Sequence, residues 1–178
     1  METKLALTKN TEKELKRAVK DRDLLSRDYL LERDWSVLVI DDNGFIDEEI
    51  KLLDDASRRF GIGHYYSILT ENLEKNKDRQ HFPFRKYSAN TDLDAWKQFY
   101  AYEHSDGYDY LDDCVFFSDP IEFMILRSGE MHTIYAGPPD FVSKASGYEL
   151  DDSRAIFIGN YWPDTRVHEE YKALNKKI

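Results

Sequence analysis

Tyrosines and carboxylates alternate in one stretch of the chain, and this mixture suits the binding of a basic surface. Residues 100–113 read YAYEHSDGYDYLDD. Tyrosine offers a large contact area at a low entropic cost, and aspartate can pair with lysine or arginine. We therefore predict a partner-binding patch that consists of Tyr108, Asp109, Tyr110, Asp112 and Asp113. The alternative is a solvated loop whose tyrosines fold back on the domain.

A second acidic group follows the apolar run at residues 36–41, which reads SVLVID. Asp41, Asn43 and residues 47–49 supply oxygen ligands of the kind that calcium prefers, but a calcium loop beginning at Asp41 requires glycine at its sixth position, where Ile46 stands. The alternative to a calcium site is a strand that continues into a turn, where the Asp and Asn side chains cap the next helix. We expect no metal site.

The chain contains none of the common catalytic or cofactor motifs. The five histidines occur singly, without the i, i+4 spacing of a helical zinc pair, and G-x-S-x-G, phosphate-loop and dinucleotide glycine motifs are absent. Cys114 is the only cysteine and begins the apolar run CVFF, which favours burial over reactivity. The sequence thus identifies no catalytic or cofactor-binding residue. An enzyme whose site combines distant aspartates and histidines stays the alternative.

The length and composition of the chain limit which kinds of protein it can be and which kinds of partner it can bind. The 178 residues are enough for one core, so we expect a single globular domain over 1–178. A formal charge of -10 opposes the phosphate neutralisation that nucleic-acid binding requires. The apolar runs have strand length rather than membrane length, and the N-terminus lacks the apolar core of a signal peptide. We predict a cytoplasmic protein that contacts neither nucleic acid nor membrane.

Periodicity in the first half of the chain predicts helix, strand, helix, strand. A helix over 11–31 would begin at a capping box of Thr11 and Glu14. Strands are expected at 36–41 and 64–70, with a helix from residue 47 between them that ends near Gly61. If the two strands are parallel neighbours, this order forms a βαβ crossover.

The second half predicts a helix from Thr91, then a β-meander, a last strand and a C-terminal helix capped near Asp164. The meander and last strand are expected at 114–118, 122–127, 131–136 and 155–161. The predicted fold class is α+β, with a mixed sheet of five to seven strands and flanking helices.

A compact, acidic, cysteine-poor chain without a catalytic motif resembles the immunity proteins of bacterial toxin systems, including contact-dependent growth inhibition. The resemblance rests on this overall profile and assigns no residues. It implies that the protein binds a basic cognate toxin, for example a nuclease, and occludes the toxin's active site without chemistry or cofactor.

Overall fold

The computed structural model describes residues 7–41, 47–75, 85–89, 113–129, 132–159 and 165–175. The helices in these ranges are α1 (Lys9–Ala18), α2 (Arg27–Glu32), α3 (Asp47–Arg59), α4 (Thr70–Lys75), α5 (Pro139–Ser146) and α6 (Arg166–Lys172), followed by a 3-10 turn at Ala173–Asn175. The strands are β1 (Val19–Asp21), β2 (Leu24–Leu25), β3 (Ser36–Ile40), β4 (His64–Leu69), β5 (Arg85–Ser88), β6 (Cys114–Phe117), β7 (Met124–Ser128), β8 (His132–Gly137) and β9 (Ala155–Ile158).

A mixed seven-stranded sheet with the order β5-β4-β6-β7-β8-β3-β9 forms the centre of the molecule. The β3-β9 pair is parallel and the other pairs are antiparallel. The predicted α+β class and the β6-β7-β8 meander are confirmed. β3 and β4 run in the same direction, but the meander separates them, so the expectation that they are neighbours is wrong. Every residue of the meander strands is buried, and strands that are buried on both faces belong in the middle of a sheet.

Alternate residues of the sheet enter two separate cores. Val37 and Val39 pack in the core beneath α1, α2 and α6, whereas Leu38 and Ile40 pack in the core beneath α3 and α5. This alternation follows from the two-residue period of a strand. The fold is therefore a sheet between two helical layers.

The predicted single helix over 11–31 is wrong, because the chain turns back on itself between α1 and α2. The side chain of Asp21 accepts a hydrogen bond from the backbone N–H of Asp23 at 2.9 Å, which stabilises a turn in place of another helical turn. Ser26 then caps α2. The predicted capping box is also displaced, because Thr8 rather than Thr11 is the N-cap of α1.

Several other predicted boundaries are confirmed. α3 ends before Gly61, whose φ of 74° only glycine adopts easily, and Thr165 caps α6 next to the predicted position. The sequence prediction missed α5, which begins at Pro139, although proline suits the first turn of a helix. The helix predicted from Thr91 lies outside the described residues. None of the helices within the described ranges has the length and apolarity needed to cross a membrane.

Cys114 is 1% exposed at the start of β6, which confirms the predicted burial. We expect native protein to react with a thiol reagent about 100-fold more slowly than denatured protein, because the thiol is reached only when the strand opens. The rates of absorbance change with an aromatic disulfide in buffer and in urea measure this. Equal rates would show that β6 is open in the native state.

Candidate functional site

The register of the sheet brings distant parts of the chain to one edge. Ile40 lies opposite Thr133 of β8 and Ile158 of β9, and the same row continues through Arg127 and Cys114 to Leu69. This row crosses the strands near their ends. We call the side of the sheet that lies beyond these strand ends the acidic edge. Its described members are Asp23, Asp41, Thr70, Asp113, Ser128, Gly129, His132 and Gly159.

Two segments attached to this edge carry the negative charge of the protein. Residues 41–49 contain five carboxylates, and residues 103–113 also contain five; neither stretch has a lysine or arginine, in a chain whose net charge is -10. The first segment leaves the sheet at Asp41, and the second enters it at Asp113. Three strand spacings separate β3 from β6, or about 14 Å. The charge that is dispersed along the sequence is therefore attached to the sheet at neighbouring points.

Asp113 joins the second segment firmly to the sheet. Its backbone carbonyl accepts hydrogen bonds from the N–H and the hydroxyl of Thr70, at 2.7 and 2.9 Å. Its Oδ1 accepts a hydrogen bond from the N–H of Gly129 at 2.8 Å, and its φ is 52°. Asp113 thus fixes the place where this segment enters β6, while its role as a partner contact stays a prediction. The other members of the predicted patch, Tyr108, Asp109, Tyr110 and Asp112, lie outside the described residues.

Asp23, Ser128 and His132 form a second anchor at the acidic edge. The hydroxyl of Ser128 donates to Oδ1 of Asp23 at 2.5 Å, and Nε2 of His132 lies 2.9 Å from the backbone oxygen of Asp23. A carbonyl oxygen only accepts, so Nε2 carries the proton. Because the serine is bonded to the carboxylate and not to the imidazole, these residues lack the order of a serine-hydrolase triad. They attach the β1-β2 turn to the β7-β8 hairpin.

Gly159 and Asp41 bring the ends of the parallel strands β9 and β3 into close contact. A Cβ atom at Gly159 would lie 2.5 Å from the Cβ of Asp41, and the φ of Gly159 is 128°. Only glycine fits here, since any other residue would separate the strand ends. This close approach fixes the point where the segment 41–49 leaves the sheet.

Asp54 is a buried carboxyl that the sequence prediction missed. Burial raises its pKa from 3.8 to about 6, while a hydrogen bond at 3.0 Å from the Tyr65 hydroxyl to its Oδ1 opposes part of that rise. Tyr65 stacks on Tyr87, whose hydroxyl lies 2.9 Å from that of Ser67. The signal was present in the sequence, because Asp54 occupies the i+4 position after Ile50 on the apolar face of α3.

No protein-family model, curated protein or solved structure matches this chain. Across the part of the chain that the structure describes, no group of three or more histidine, cysteine or acidic side chains could hold a metal ion.

Proposed function

We propose that this protein is a binding module that neutralises a basic protein partner through the acidic edge. It would act as an immunity protein that covers the active site of its cognate toxin. The observation that carries the proposal is the attachment of both acidic segments, through Asp41 and Asp113, to one edge of the sheet. The low cysteine content and the absence of catalytic motifs from the sequence agree with a function that needs no chemistry.

Charge that is concentrated on one side of a protein favours a partner of opposite charge. Long-range attraction raises the association rate, and like-charged partners are rejected. A nuclease toxin would have such a surface, because its active site must attract a polyanionic substrate. An acidic protein that occupies this site excludes the nucleic acid.

Hydrogen bonds hold the described part of the acidic edge in place, and a rigid surface favours tight binding. Asp113 bonds to Thr70 and Gly129, while Asp23 bonds to Ser128 and His132. A surface held by such bonds loses little conformational entropy when a partner docks. These anchors would therefore act as positioning residues for the acidic segments.

The test is a binding measurement with the protein that the adjacent gene encodes, which the proposal expects to be the cognate toxin. We expect the double change Asp109→Asn, Asp112→Asn to lower the association rate constant about tenfold at low salt, with a smaller difference at high salt. Tyr110→Ala should raise Kd by at least about 30-fold, mainly through faster dissociation, because the predicted patch loses a tyrosine contact. Surface plasmon resonance at several salt concentrations measures both effects.

The matched control is Asp140→Asn, Glu149→Gln, which removes two charges at the start of α5 and beyond its end. These carboxylates have no ion pair within the described residues, so the association rate should change little. Unchanged rates and affinity in both test variants would remove residues 108–112 from the interface. A lower melting temperature with normal affinity would instead give those residues a structural role.

An enzyme is the second candidate function, and Asp54 is the observation that favours it. A carboxyl that titrates near neutral pH is suited to general acid-base catalysis. However, Asp54 is 8% exposed and its described hydrogen bond is to Tyr65, not to a histidine. Higher stability of Asp54→Asn together with loss of an activity would support a catalytic role for this carboxyl.

A further inference from the structure

A groove of about 1140 Å³ lies on the side of the molecule opposite the acidic edge. We call it the rear groove. The backbone oxygen of Arg154 in its wall accepts a hydrogen bond from Val37, at the start of β3, which places the groove at the far end of that strand. It is lined by parts of α2, the chain before β9 and the 3-10 turn: Arg27, Asp28, Leu31, Asp151, Asp152, Ser153, Arg154, Ala173, Leu174 and Asn175.

The unmatched charge in the rear groove is negative. The guanidinium of Arg154 contacts Asp34, and Nε of Arg27 lies 3.8 Å from Oδ1 of Asp28. Asp151 and Asp152 are exposed, and no lysine or arginine of the described ranges pairs with either of them. Two carboxylates therefore remain to attract a cation.

Asp151 is held in the ionised state. Its Oδ1 accepts a hydrogen bond from the N–H of Ser153 at 2.7 Å, and hydrogen bonding from Ser153 lowers the pKa of this carboxyl. The negative charge therefore persists through the physiological pH range.

An exposed apolar side chain lies beside these carboxylates. Leu31 is 37% exposed in the rear groove, where it accompanies Ala173 and Leu174. The other large exposed apolar side chains in the described ranges, Phe60 and Tyr148, line a groove of about 530 Å³ whose charges balance in number, two cations against two anions. That groove contains Arg59, Lys144, Asp140 and Glu149. Only the rear groove of these two therefore combines an apolar contact with a net negative charge.

We infer that the rear groove docks a basic peptide segment of a protein partner, with lysine or arginine head groups beside Asp151 and Asp152 and an aliphatic side chain on Leu31. This surface is distinct from the acidic edge and goes beyond the proposed function. An apolar contact flanked by charge pairs is the usual arrangement of a small protein interface. Because the groove is open and its charges are hydrated, we expect weak binding to an isolated peptide, with Kd about 0.1 to 1 mM.

The test uses the full chain and capped hexapeptides that repeat Lys-Leu-Ser, Glu-Leu-Ser or Lys-Ser-Ser. At an ionic strength of about 50 mM, the Lys-Leu-Ser peptide should shift the amide NMR signals of Leu31, Ser153 and Ala173. The Glu-Leu-Ser peptide should not bind, and the Lys-Ser-Ser peptide should bind more weakly. Asp151→Asn, Asp152→Asn should weaken Lys-Leu-Ser binding about fivefold, and Leu31→Ser should weaken it to a similar extent.

Asn at position 151 keeps the oxygen that Ser153 contacts, so the double variant should retain the fold. Asp140→Asn, Glu149→Gln removes the same charge from the balanced groove and should leave peptide binding unchanged. Equal binding of the Lys and Glu peptides, no binding, or unchanged affinity in the double variant would overturn the inference. Shifts at Asp113 and Gly129 instead would place the peptide at the acidic edge, which rejects the rear groove and leaves the proposed function standing.

Discussion

Tyr171→Phe will destabilise the protein by about 3 kcal/mol, although it removes a single oxygen atom. The hydroxyl of Tyr171 accepts a hydrogen bond from the N–H of Leu25 at 2.7 Å and donates one to the carbonyl oxygen of Leu25 at 3.0 Å. Both residues are fully buried. The phenylalanine ring would keep the packing but leave two buried backbone groups without partners, and each such group costs about 1 to 3 kcal/mol.

Urea unfolding followed by tryptophan fluorescence measures this loss. Tyr148→Phe is the matched control, because Tyr148 is 41% exposed and its loss of a hydroxyl should change the free energy of unfolding by less than about 0.5 kcal/mol. A loss below about 1 kcal/mol for Tyr171→Phe would mean that β2 finds other partners, and that this bond does not hold the β1-β2 hairpin on α6.

Asp54→Asn will stabilise the protein by about 3 kcal/mol near pH 8 and by almost nothing near pH 4. In the folded protein, burial raises the pKa of Asp54 from 3.8 to about 6. Because the folded protein holds this proton more tightly than the unfolded chain does, the protonated carboxyl stabilises the fold fully at pH values below 3.8. That stabilisation is lost as the pH rises through about 6. Asparagine stays neutral and keeps an oxygen that can accept the hydrogen bond from Tyr65.

The free energy of unfolding of both proteins, measured between about pH 4 and pH 8, gives the difference curve. Asp55→Asn is the control on the next residue of α3, because Asp55 is exposed and pairs with Arg58. It should shift stability by no more than about 0.5 kcal/mol at any pH. A variant less stable than the native protein near pH 8 would contradict the prediction. Higher stability combined with loss of an activity would support the enzyme, since functional groups are often retained at a cost in stability.

The local patterns of the sequence were sufficient to locate most of the described elements. β3, β4 and β6 each stand out as a short apolar run, and the spacing of Ile50 and Leu53 indicates the buried face of α3. Such patterns work because the periods of helix and strand depend on neighbouring residues alone. The α+β class and the burial of Cys114 followed from the same information.

Local patterns failed where a distant partner decided the structure. Residues 19–25 have the spacing of a helix, but Leu25 is bonded to Tyr171, and Asp23 is bonded to Ser128 and His132. These contacts join residues more than 100 positions apart. The sequence shows each residue without showing its partner, so a hairpin was mistaken for part of a helix.

The sequence by itself determined that this protein carries an excess of negative charge and that much of the excess lies in residues 41–49 and 103–113. Only the tertiary structure decided that both segments join the same edge of the sheet, at Asp41 and Asp113. The physical reason is the pairing order of the strands. The meander β6-β7-β8 takes the centre because both of its faces are buried, and its register with β3 aligns Ile40 with Thr133, Arg127 and Cys114.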